Sequence, residues 1–128
     1  MTAALLSYQY VALRCVPRVE REEFINIGVV IHCQGSDFLE CAFIISAQRL
    51  HAFCAEVDLT AAEASLETLR AICHGEAGPG RPVLETLGQR FGWIAAPRST
   101  VVQPGPVHGG LTSDPAAELA RLLSVLVG

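Results

Sequence analysis

At 128 residues, with five cysteines that form no C-x-x-C pair, the chain is long enough to bury a core without disulfides or a structural metal and fits a single domain spanning 1–128. A formal net charge of −4 opposes general nucleic-acid binding, which needs a surplus of cations to displace counterions from phosphates. No apolar run approaches the length of a membrane span.

The apolar fraction is 51 %, so a large share of each element should be buried or covered by a partner. All nine basic residues are arginine, and every cation therefore carries a planar guanidinium fork suited to carboxylate or phosphate. The cysteines read as buried free thiols of a reducing compartment. The opening MTAALLSYQY lacks the basic segment of a secretory leader, which sets the expectation of a cytoplasmic protein.

Tyr8 to Val16 alternates with period two, Val11, Leu13 and Cys15 on one side and Tyr8, Tyr10, Ala12 and Arg14 on the other. Pro17 cannot donate to a ladder and ends that strand. Phe24 to Cys33 reads as the second strand, with Ile25, Ile27, Val29, Ile31 and Cys33 facing the core. Between them lies a run alternating Arg18, Glu20, Arg21, Glu22 and Glu23. QGSD, residues 34 to 37, has the composition of a tight turn, and Phe38 to Ile45 reads as a third strand completing an antiparallel meander.

Ser46 should cap a short helix ending near Cys54. Thr60 with Glu63 suggests a capping box, followed by Leu59, Ala62, Leu66, Leu69 and Cys73 at helical spacing until Gly75. Residues 75 to 82, GEAGPGRP, break all periodicity. Val83 to Phe91 reads as a short helix weakened by Gly88. Trp93 to Val107 looks extended, but Pro97, Pro104 and Pro106 demote it to an edge strand or an extended segment. Asp114 caps a last helix, with Pro115 at its first position and Leu119, Leu122, Leu123 and Leu126 as its apolar stripe. The expected fold is α+β with two layers: a three-stranded antiparallel meander plus an edge strand, and helices on one face.

YQYVALRCVPRVEREEFINIGVVIHC, residues 8 to 33, resembles the opening of the bacterial family catalogued as domain of unknown function 3037. The matching positions are Tyr10, Arg14, Pro17, Arg21, Glu23, Asn26, Gly28 and Val29. GPVHGGLTSDPAAELARLL, residues 105 to 123, resembles the family's C-terminal end through Gly110, Leu111, Asp114 and Pro115. The resemblance implies a small bacterial cytoplasmic domain, often encoded beside a kinase-like gene of the HipA type. No activity comes with it.

The candidate binding residues are Arg14, Arg18, Arg21, Glu23, Asn26 and Gly28. Guanidinium forks supply paired donors, Asn26 an amide opposite Arg14, and Gly28 room for a close approach. The competing reading makes the same charges a structural ion-pair set that registers the hairpin. His51 with Cys54, and Cys73 with His74, are the available metal-ligand spacings, and they lack the paired anchors of a zinc site. Neither a metal nor a cofactor is expected. No serine sits in a G-x-S-x-G frame, and neighbours such as His32 and Cys33 point to opposite faces of a strand.

The expected function is a small non-catalytic interaction or accessory module with a protein partner, a HipA-like kinase being the one the resemblance suggests. Nucleic acid and membrane are not expected partners, and self-association stays open. The alternative is an enzyme or binding protein for a small phosphate or carboxylate ligand, gripped by Arg14, Arg21 and Arg98 with Glu22 or Glu23 as base.

Overall fold

The structure is a computed structural model that describes residues 4–128; the reading of the chain's opening rests partly on residues 1–3, outside that range. Five strands form one antiparallel sheet: β1 Leu6–Cys15, β2 Ile25–Cys33, β3 Phe38–Phe43, β4 Val102–Pro104 and β5 His108–Thr112. β1 lies in the middle, with β2 and then β3 on one side. On its other side β5 pairs with Leu6–Tyr10 and β4 with Leu13–Cys15. The α+β class and antiparallel sheet are as expected, but the edge beside β1 is split: of the expected segment 93–107 only Val102–Pro104 pairs, and β5 follows beyond it as a second short strand. Pro104 and Pro106 explain the split, because a proline has no N–H to give a ladder and the segment cannot run on as one strand.

The second strand departs from strict alternation. Leu13 pairs with Gly28 while Arg14 pairs with Asn26, so Ile27 is an extra residue in a β-bulge. The bulge puts Ile27 on the same side as Val11, Leu13 and Cys15, and moves Val29, Ile31 and Cys33 to the opposite face. Gly28 sits where β3 crosses closest: a Cβ there would lie 2.9 Å from the Ala42 carbonyl oxygen and from Phe43 Cβ. Of the two uses of a close approach at Gly28, by a backbone or by a ligand, the structure shows the backbone of the neighbouring strand.

Both faces of the sheet are therefore apolar, and helices cover both, which corrects the two-layer expectation. On one face α1 Ala47–Phe53, α2 Leu59–Cys73 and α3 Leu87–Ala95 bury Leu50, Leu66, Ile72, Phe91 and Ile94 against Leu13, Ile27, Val30 and Cys41. On the other, α4 Pro115–Leu126 lays Leu119 and Leu122 on Tyr8, Val29, Ile31 and Cys33. Each fully buried leucine contributes roughly 1.5–3 kcal/mol. Tyr8 ties the layers together by donating its hydroxyl to Glu118 Oε2, and Arg121 donates twice to the same carboxylate at 2.7 and 2.8 Å.

Helix ends follow side-chain caps. Ser46 caps α1 and Asp114 caps α4, as expected. α2 is capped by Asp58, two residues before the expected Thr60, its side chain accepting from Ala61 N. α3 starts at Leu87 rather than Val83: Thr86 and Gln89 form a capping box that outweighs the Gly88 penalty and carries the helix past Trp93 to Ala95. No helix of the described residues is long and apolar enough to cross a membrane.

Candidate functional site at one end of the sheet

The Arg/Glu run joins β1 to β2 as a short 3-10 turn, Val19–Arg21, closed by Glu22 in the left-handed region at φ 56°. Two clefts flank this connection. One, of about 340 Å³, is lined by Arg18, Arg21, Glu23 and the Phe53–Glu56 segment after α1. Inside it Arg18 pairs with Glu56 at 3.0 Å and Arg21 with Glu23 at 2.7 Å, all four side chains being about half exposed or more. Such pairs contribute about 0–1 kcal/mol each. Their cations are already matched, so this cleft has little charge left over for a ligand.

The other cleft, of about 420 Å³, is lined by Arg14, Val16, Val19, Glu22, Phe24, Ser99 and Gln103. The sheet register builds its floor: Arg14 on β1 and Gln103 on β4 lie directly across from one another, and Asn26 on β2, outside the cleft lining, pairs with Arg14 from the other side. The guanidinium of Arg14 stacks on the Phe24 ring at 3.9 Å from the centroid. Arg14 Nε is buried without a hydrogen-bond partner among the described residues, as is Asn26 Oδ1. Asn26 Nδ2 donates to the Leu126 carbonyl at the end of α4, and its own backbone carbonyl accepts from Arg49.

The six candidate residues thus do not gather in one place. Arg14 and Asn26 share the α4 face of the sheet; Arg18, Arg21 and Glu23 share the cleft beside α1; Gly28 is packing. Arg98, the third anion-gripping candidate, caps α3 by donating to the Trp93, Ile94 and Ala96 carbonyls while stacking on Trp93. Glu22 lies in the Arg14 cleft and Glu23 in the Arg21 cleft, so the arrangement sought for a small-anion enzyme is divided between two sites.

Sequence reasoning passed over Gln103, Ser99, Phe53 and Glu56. Gln103 is identifiable only once β4 is registered against β1, and no local signal fixes that pairing. Phe24 was legible as an aromatic beside the charged turn, though its stacking on Arg14 was not.

Other chemistry-bearing groups have structural explanations. His74 meets Glu40 at 2.6 Å and Glu76 at 3.6 Å, and Cys73 lies in the core; among the described residues no group of three or more His, Cys, Asp and Glu side chains is placed to hold a metal ion. His108 lies in β5 and stacks on Tyr10. His32 is buried against Phe91, and desolvation pushes its imidazole below the usual histidine range.

Comparison with known proteins yields one family. No curated protein and no solved structure matches the chain. Residues 10–127 match the family model described as protein of unknown function (DUF3037), covering nearly the whole chain. The chain belongs to that family, as the strand–turn–strand around Arg14 and Asn26 and the Asp114-capped helix suggested.

Proposed function

We propose that the protein is a non-catalytic binding module that engages a partner protein through the sheet end built on residues 16–24. One observation carries this reading: Val19, Phe24 and Phe53, each exposed by 41–43 %, line the clefts holding Arg14, Arg18 and Arg21. Aromatic and arginine side chains on a surface with adjacent concavities are the composition of interface hot spots. The partner suggested by the family resemblance is a HipA-like kinase in the bacterial cytoplasm.

The test compares affinity capture from a lysate of the source cells by the wild type, by Phe24→Ser with Phe53→Ser, and by Val83→Ser. Val83 is 94 % exposed in the 75–86 connection and serves as the remote control. The wild type and Val83→Ser should retain the same partner, while the double variant weakens it tenfold or more, each hot-spot truncation costing about 2 kcal/mol. Recovery of no partner, or equal loss in Val83→Ser, rules the reading out.

A further inference from the structure

Among the described residues Arg14 stands apart from every other arginine. Arg18, Arg21, Arg70 and Arg121 pair with carboxylates. Arg49, Arg81, Arg90 and Arg98 donate to backbone carbonyls. Arg14 makes no hydrogen bond and no ion pair with any of them, although it is half-buried and its Nε is fully enclosed. Arg14 is also held still: its guanidinium lies over the Phe24 ring, and Gly105 approaches so closely that a Cβ there would lie 3.1 Å from the guanidinium carbon. A stacked guanidinium keeps its N–H donors in the plane, where they match a two-oxygen acceptor. A fixed, partly desolvated cation with unused donors at the floor of a cleft is a receptor awaiting an anion.

We propose that the Arg14 cleft receives a single carboxylate, the acidic side chain of a polypeptide partner, which Arg14 grips and Ser99 and Gln103 flank. The proposal rests on the reading of this sheet end as a docking surface and names the anchor group. Two features select a carboxylate. Glu22 also lines the cleft, and its charge opposes a dianionic phosphate more than a monoanion. Val19 and Phe24 line the same cleft with their apolar surface exposed, which a polypeptide covers and a free small acid leaves wet.

The experiment follows the Arg14 side-chain Nε–H and Gln103 amide resonances by NMR in the full chain. Additions are sodium chloride, sodium acetate, inorganic phosphate and a blocked peptide with one glutamate, all at equal ionic strength. Acetate and the peptide should shift these resonances saturably, the peptide binding more tightly, with chloride inert and Arg18 and Arg21 unmoved. Arg14→Lys, which keeps the charge but loses the fork, should weaken the peptide about tenfold when read at Gln103. Glu22→Gln should tighten it. Equal response to chloride, joint movement of Arg18 and Arg21, or tighter binding of phosphate than acetate overturns the assignment. The titration needs no natural partner, so it fails separately from the docking surface. A captured partner lost in the Phe24 and Phe53 double variant but kept by Arg14→Lys would overturn the anchor while leaving the surface standing.

Discussion

Glu118 shows how one side chain can set an acid limit on the fold. Its carboxylate, 13 % exposed, is held at about 2 by the hydrogen bonds from Arg121 and then from Tyr8, against an ordinary value of 4.5. In the unfolded chain the group takes up a proton near that ordinary value, whereas the folded chain resists until about 2. Its stabilisation is therefore complete above about 4.5 and drains away as pH falls toward about 2. Glu118→Gln should lower the melting temperature near neutrality and flatten its fall over that interval; an unchanged acid profile in chemical or thermal melts would show that the latch is not formed. The thiols make a second residue-scale test. Burial raises Cys15, lifts Cys41 to about 12 and pushes Cys73 higher still, and Cys33 is also enclosed. Cys54, the one thiol not fully buried, should be the single site modified by a thiol reagent in the native protein at neutral pH. Mass spectrometry of the labelled chain checks this, and Cys54→Ser should abolish native labelling.

Elements were legible wherever a side chain announces its own role, and less so where the backbone decides. Ser46, Asp114 and Pro115 mark helix starts through local hydrogen bonding and φ, so α1 and α4 could be read from their first residues. β2 could not be read beyond its existence. Ile25, Ile27, Val29, Ile31 and Cys33 look like one apolar face, yet the bulge at Ile27 and Gly28 sends the last three to the other side. Periodicity is blind to one unpaired residue, and a one-residue slip exchanges the faces of everything after it. From that misreading follows the missed second helical layer, since a strand with one apolar face needs covering only once. Gly110 makes the same point in β5: a Cβ there would lie 2.7 Å from Tyr8 Cζ, because the tyrosine lies across the glycine on its way to Glu118. Gly110→Ala should thus destabilise by about 1–3 kcal/mol through overpacking and displacement of Tyr8. The same substitution at Gly92, which has nothing within 4 Å and lies inside α3, should stabilise by a few tenths to about 1 kcal/mol. Paired denaturant melts distinguish the two signs.

A sheet buried on both sides couples parts of the molecule that share no contact. α4 rests on Val29, Ile31 and Cys33, while α2 and α3 rest on Leu13, Ile27 and Val30 of the same two strands. Losing either cover wets one face of β1 and β2, and those strands cannot keep their register for the other cover once half of their burial is gone. The expectation of one domain over 1–128 becomes a cooperativity claim. Trp93 is the single tryptophan and packs on the α2–α3 side, so its fluorescence reports that layer alone. Leu122→Ala empties a site on the opposite side, where Leu122 is 4 % exposed, and should cost roughly 2–5 kcal/mol. If the sheet transmits that loss, the Trp93-detected midpoint falls together with the circular-dichroism midpoint, as it does for Leu66→Ala directly in the tryptophan's own core. If α4 is instead a separable cover, Leu122→Ala lowers helicity at a low denaturant concentration and leaves the Trp93 transition where it was. The coupled outcome would also connect the binding end to the whole fold. Asn26, which holds the end of α4 through Leu126 and accepts from Arg49 of α1 at its carbonyl, stands directly across from Arg14, so the strand pair that carries Arg14 is tied to both helical layers at once.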